Sequence, residues 1–297
     1  MSVSHSSPRL PPPDVRRVAL DSLADAIARL GQRPLSDRAV HGVRKDLKRA
    51  RAMLRLMHEG LGEDEYRRGN IALRDAARDL SAARDSKVLL DTLRNLPQHG
   101  STSDLRARLR KEHTLARSHL RTDVSSVKRA RQTLRAVGRG LAEASGERFD
   151  WPILQTGLRR VYARARVALV QARRQPTAEN LHELRKQTKY LWHQLQALPV
   201  ARPLEGPCLA TAAHHLSDLL GGGHDLAALR SRALEAPMRG GARTWLLAHI
   251  DARSARRRDQ ALTLASQLYR DPPAVFTAHV LRGSARRPRR RTASTSS

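Results

Sequence analysis

The sequence is short of several things, and each shortage excludes a class of protein. It holds one cysteine, Cys208, so it can build neither an internal disulfide framework nor a cysteine-based metal centre. Aromatic residues make up 3% of its 297 residues. Stacking platforms for single-stranded nucleic acid therefore have little to be built from. No apolar run approaches the ~18 residues of a membrane span, and the N-terminus has no stretch fit for a signal peptide. Acidic residues are also scarce, with 28 Asp and Glu against 56 Lys and Arg. The expectation is a cytoplasmic protein without a membrane partner.

What is present is a strong basic excess on a helix-forming background. The formal charge is +28 at pH 7, and 40% of the residues are hydrophobic. With few aromatic or β-branched residues, the core must come mostly from Leu, Ala and Val, which favours helices over strands. A surplus of this size repels itself in a compact state and attracts anions. Drift toward arginine would scatter such charge, so its position carries more information than its total.

Residues 1–13 end in Pro11-Pro12-Pro13 and read as a disordered leader, and residues 283–297 read as a disordered basic tail. Between them the pattern predicts helices near 14–30, 36–59, 64–83, 86–96, 103–144, 151–173, 177–198, 207–221, 224–235 and 240–270. The long span 103–144 is expected to break near Arg121–Asp123. Gly221-Gly222-Gly223 is read as a helix break, too weak to be a phosphate loop because no G-x-x-x-x-G-K accompanies it.

An internal repeat organises this series. His41-Gly42-Val43-Arg44-Lys45-Asp46-Leu47-Lys48 and His182-Glu183-Leu184-Arg185-Lys186-Gln187-Thr188-Lys189 share the pattern H-x-x-R-K-x-x-K at an offset of 141 residues. Ser36 and Thr177 each stand five positions before the histidine, as N-caps should. A second match, Arg84-Asp85 with His224-Asp225, falls at an offset of 140. Two similar helical halves, about 14–146 and 151–282, follow as the simplest architecture. Asp85 and Asp225 are assigned as structural caps at helix starts.

At about 100° per residue, His41, Arg44, Lys45, Lys48 and Arg55 fall on one stripe, flanked by Arg49 and Arg51. Val43, Leu47, Ala50, Leu54 and Met57 fall on the core side. The stripe runs about 21 Å at 1.5 Å per residue. In the second helix His182, Arg185, Lys186, Lys189 and His193 share a stripe, with Leu184, Thr188, Leu191, Leu195 and Leu198 toward the core. Four of the seven lysines in the chain lie in these two motifs. A solvated face usually intersperses acids at i,i+4 to offset like charges, and these stripes are read as lacking them. Arginine forks fit phosphate oxygens, and lysine supplies a compact point charge. The competing interpretation, a solvated charged face with a histidine satisfied in the core, explains one such helix more easily than two in register.

On these residues the chain resembles the CHAD family, named for histidines in an α-helical domain. His41, Arg44, Lys48, Arg49 and Arg51 fit the family's first motif, with Lys48 for an arginine. His182, Arg185, Lys186 and Lys189 fit the later one. Trp192 and His193 depart from it, standing where the family usually has Arg and often has Tyr. The resemblance covers about residues 14–280. It implies an all-α fold of two four-helix-bundle-like halves around a basic groove or pore. It also implies binding of inorganic polyphosphate and, in some bacteria, association with polyphosphate granules. The residues alone reach only a duplicated helical polyanion binder, and a nucleic-acid binder using the same surface is the alternative.

No cofactor, metal site or catalytic residue is expected. His214, His215 and His224 are poorly spaced as ligands, and the basic stripes hold no carboxylates of the kind phosphoryl-transfer enzymes use to hold metal.

Overall fold

The computed structural model describes residues 12–97, 102–144, 149–198, 206–238 and 240–281. The leader up to residue 11 and the basic tail from 283 lie outside the described residues. The fold is all-α, with no strand among the described residues. In chain order the helices are α1 (Val15–Leu30), α2 (Asp37–Leu56), α3 (His58–Leu61), α4 (Glu63–Asp79), α5 (Ser81–Arg94), α6 (Ser103–Thr122), α7 (Val124–Glu143), α8 (Trp151–Arg174), α9 (Ala178–Ala197), α10 (Gly206–Glu235), α11 (Gly240–Leu268) and α12 (Pro273–Leu281).

Local chemistry explains most of the boundaries. The Ser36 hydroxyl accepts from the Ala39 amide at 3.1 Å to open α2, and the Thr177 hydroxyl accepts from the Asn180 amide at 3.2 Å to open α9. The long span does break where expected, at Asp123, whose carboxylate caps α7 by accepting from the Ser126 amide at 2.9 Å.

Three boundaries differ from the sequence expectation. The α4–α5 junction falls at Leu80 rather than near residues 84–86, so Asp85 sits within the first two turns of α5 and not at its start. α10 runs unbroken through Gly221-Gly222-Gly223, which places Asp225 in mid-helix. Neither aspartate is an N-cap. The third difference is α12, which was not anticipated, although Pro273 at its first position is a recognised start signal.

Two of the three glycines in this run, Gly221 and Gly222, lie directly under arginine side chains. A Cβ on Gly221 would lie 3.2 Å from Arg185 Nη2, and one on Gly222 would collide with the Arg257 guanidinium. The missing side chains are room for two cations, and tertiary packing overrides weak local propensity.

α2 is the hub, packing against α1, α3, α4, α5, α8 and α9. Its predicted core face is correct: Val43, Leu47, Ala50, Leu54 and Met57 are all buried. So are Leu184, Thr188, Leu191, Leu195 and Leu198 on α9. The two motif helices pack on one another, and the Gln194 side-chain amide of α9 donates to the Ala52 carbonyl of α2 at 3.2 Å. Packing of α1 on α2 is matched by α8 on α9, and α1 on α7 by α8 on α12.

The apolar residues gather into two clusters, and each draws from both sides of the sequence. The larger holds the buried faces of α1, α2, α8 and α9 with Phe276 and Val280 of α12. The smaller joins Leu90 and Leu93 of α5 and Leu105 and Leu109 of α6 to Leu226 and Leu229 of α10 and Leu246 and Ile250 of α11. Tyr162 of α8 ties down the C-terminal end. Its ring stacks on Phe276 at 3.8 Å, and its hydroxyl donates to the Leu268 and Asp271 carbonyls at 3.2 Å each.

α8 reaches α2 through Gly157, where any Cβ would run into the Leu56 backbone carbonyl. Backbone cannot swing aside as a side chain can. Gly157→Ala is therefore expected to destabilise the fold by about 1–3 kcal/mol, as overpacked core sites do. Urea denaturation checks this, the midpoint falling with the slope unchanged.

Candidate functional site

The cationic faces of α2 and α9 meet along their packing line, and α5, α10 and α11 close the space beside it. The result is a cleft of about 570 Å³. α2 contributes His41, Arg44, Lys45 and Lys48, and α9 contributes Arg185, Lys189, Trp192 and His193. α5 adds Arg84 and Thr92, α11 adds Arg253 and Arg257, and α10 adds His214, Asp218 and Asp225. Eight Lys and Arg side chains thus face two Asp.

Little inside the protein neutralises these cations. Among the described residues, Arg84 has an ion pair, with Asp85 at 3.2 Å. Arg44 donates to the Ala77 carbonyl at 2.6 Å, while its Nε is buried without a partner. Arg253 donates to the Asn95 carbonyl, and the Lys189 ammonium lies 4.2 Å over the Trp192 ring. Asp218 is engaged with His214 at 3.0 Å, and Asp225 acts on Arg185 through space.

The electrostatic consequence is mutual depression of basicity. Burial first, then Arg185, Arg44, Arg84 and Lys189, bring the Lys48 ammonium down to about 7. Arg44, Arg185 and Lys189 are lowered too, each by burial before any neighbouring charge. His41 is lowered by burial and then by Arg84 and Lys48. Both nitrogens of the buried His193 lack a hydrogen-bond partner, and burial together with Lys189 brings its ring down to about 3. An anion in this cleft would oppose each of these shifts, because it favours the charged form of each base.

Of the twelve residues predicted to bind, seven line the cleft: His41, Arg44, Lys45, Lys48, Arg185, Lys189 and His193. Five lie elsewhere. Arg49 is exposed on α2 and does not line the cleft. Arg51 and Arg55 turn toward α4 and donate to the Asn70 side-chain oxygen at 3.0 and 2.8 Å, with Arg55 stacked 3.9 Å over the Tyr190 ring. They tie α2 to α4 and α9. Lys186 pairs with Glu183, so the second stripe does carry an offsetting acid at i,i+3. His182 lines a neighbouring pocket beyond α10, its ring 5.2 Å from that of His224.

The sequence reading missed Arg84, Arg253 and Arg257 as cleft cations. Arg84 could have been found, since it belongs to the second repeated landmark. Nothing in the arginine-rich run of α11 distinguishes Arg253 and Arg257 from neighbours such as Arg256 and Arg258.

The sequence matches the profile of the CHAD domain over residues 18–234. The chain belongs to the CHAD family. The crystal structure of the CHAD domain from the plant Ricinus communis is similar to this CHAD chain at a TM-score of 0.62 and 16% identity. The alignment covers 91% of this chain and 94% of that one. At that identity the likeness is one of fold. No curated protein matches the chain.

Lys48 carries a testable cost. A lysine held near 7 when folded and near 10.5 when unfolded leaves the folded state short of protons between those values. Its penalty is full below pH 7 and fades as pH rises toward 10. Lys48→Met should therefore stabilise the ligand-free protein at pH 6 by on the order of 1–3 kcal/mol, with most of that gain gone by pH 9.5. Urea midpoints of both proteins across that range provide the measurement.

Proposed function

We propose that this CHAD domain binds inorganic polyphosphate in the cleft between α2 and α9. The observation that carries the proposal is the group of half-buried, mutually repelling cations, Arg44, Lys48, Arg185 and Lys189, drawn from both motif helices onto one path. A linear anion with a charge on every phosphate fits such a path. It releases its condensed counterions, and the protein replaces its hydration with charge-assisted hydrogen bonds. The reading is of binding without catalysis. Of the two cleft aspartates, Asp218 pairs with His214 at 3.0 Å and Asp225 lies in the field of Arg185. Attachment to polyphosphate granules would follow from many copies binding one long polymer.

Nucleic acid is the second reading, and the aromatic surroundings of the cleft disfavour it. Trp192 is 8% exposed, with Lys189 over its ring and the His214 ring edge-on at 4.2 Å. No open face remains on which a base could stack.

Replacing Arg44, Lys48, Arg185 and Lys189 together by Ala should weaken polyphosphate binding at least roughly a hundredfold while the helical circular dichroism spectrum is retained. Unchanged affinity in a folded quadruple variant would exclude the cleft. A salt series should give a steep linear fall of log affinity with log salt, and polyphosphate should displace DNA or RNA at much lower phosphate concentration. Trp192 emission is a direct readout, because polyphosphate must draw Lys189 away from the ring.

Affinity should also fall as pH rises from 6 to 9. Binding raises the Lys48 pKa from about 7, so protons are taken up with the ligand, and a rising pH opposes that uptake. Calorimetry in buffers of different ionisation enthalpy measures the uptake, and Lys48→Arg should remove most of it.

A further inference from the structure

Beyond α10 lies a second cavity that the cleft does not use. It measures about 450 Å³ and is bounded by the N-terminal end of α9, the outer face of α10 and the middle of α11. Its character is different from that of the cleft. Leu181, Leu219 and Leu220 form an apolar floor, and the rings of His182 and His224 stand side by side at 5.2 Å with 47° between their planes. Size, apolar lining and a few convergent polar groups are the usual features of a small-molecule site.

The charges at the rim decide what such a molecule must carry. Arg230 is paired with Asp251 at 2.9 Å, and Arg258 with Asp259 at 3.0 Å. Arg257 has no carboxylate partner among the described residues. Its guanidinium lies against Gly222 and reaches the Asp218 carbonyl only at 3.5 Å. Arg257 also lines the main cleft, so one cation stands at the boundary of both cavities.

We propose that this pocket is a second ligand site, taking a small amphiphilic phosphate whose flat or apolar body lies on the leucine floor and whose phosphate meets Arg257. Neither a bare phosphate chain nor a neutral apolar molecule suits it, since the first leaves the floor uncovered and the second leaves the guanidinium unpaired. Burial holds both imidazoles below their ordinary basicity, so they face the ligand as flat, largely neutral rings at pH 7. A ligand here would also withdraw Arg257 from the cleft. That coupling, unlike the site itself, rests on the polyphosphate reading. It makes the two ligands antagonists, and reciprocally so.

1-Naphthyl phosphate is a fitting probe, read by its own fluorescence and by calorimetry on the full chain. Binding is expected at a Kd on the order of 0.1–1 mM, typical for a ligand of that size. Inorganic phosphate and 1-naphthol should each bind at least tenfold more weakly. Gly223→Leu is the discriminating variant, because Gly223 lines the pocket and a Cβ there meets nothing within 4 Å. The leucine should fill the pocket and abolish naphthyl phosphate binding while polyphosphate binding is untouched. Ala227→Phe is the second plug should the first alter the helix. In wild-type protein, saturating naphthyl phosphate should weaken polyphosphate binding by about three- to tenfold.

Adenosine monophosphate and hexyl phosphate distinguish a nucleotide from an alkyl source. Failure of both together with naphthyl phosphate at 5 mM overturns the site. Naphthyl phosphate binding that survives both plugged variants, or that inorganic phosphate equals, overturns it as well. Loss of polyphosphate binding alone, with naphthyl phosphate still bound and still sensitive to Gly223→Leu, counts against the cleft and leaves this pocket standing.

Discussion

Repulsion between cations that the protein itself does not neutralise is the constraint on which the rest of this structure depends. Arg44 and Lys48 on α2 face Arg185 and Lys189 on α9, and burial deprives each of the water that would screen it. Such a group does not assemble by its own energetics, since like charges in a partly dry cleft oppose folding. It has to be held by something stronger. The apolar faces directly behind these residues, with Val43 and Leu47 on one helix and Leu184 and Leu191 on the other, are fully buried and supply that force. A cluster held together against its own charge is one whose repulsion an anion would relieve, which is the physical basis of the proposed function.

The surrounding architecture serves that arrangement. The two apolar clusters share α10 and α11, and the cleft draws residues from elements of both. α10 can come close because its triglycine segment presents backbone to the guanidinium groups of Arg185 and Arg257. α8 closes on the end of α2 because Gly157 lets backbone meet backbone. Small residues are therefore placed where the cationic wall or its supporting helices must approach most nearly. The same helix, α10, separates two cavities of opposite character. One is cationic; the other has an apolar floor and, among the described residues, the Arg257 guanidinium without a carboxylate partner.

A large share of this was legible in the sequence. Helix content, the caps at Ser36 and Thr177, the break at Asp123 and the buried faces of α2 and α9 follow from period and propensity, which act within a few residues of chain. The repeated H-x-x-R-K-x-x-K motif marked the two helices whose cations meet in the cleft. Within them, the division was less sharp than the helical wheel suggested. Arg55 shares a stripe with Lys48 on paper and Arg51 flanks it, yet α4 supplies Asn70 and α9 supplies Tyr190 to receive them. His182 occupies the place in its motif that His41 has in the first, but α10 passes between it and the cleft.

The sequence by itself determined an all-helical chain of the CHAD family, the two cationic motifs and the apolar backing that holds them, because each depends on neighbours within one or two helical turns. The tertiary structure alone decided which cations converge. Arg84, Arg253 and Arg257 join the cleft from α5 and α11, Arg51, Arg55 and Lys186 find partners elsewhere, and Gly221 and Gly222 of α10 lie under two arginines. The physical reason is that a charged side chain is long and its partner is chosen by distance in space. Periodicity fixes the face a residue stands on, and only packing fixes what that face meets.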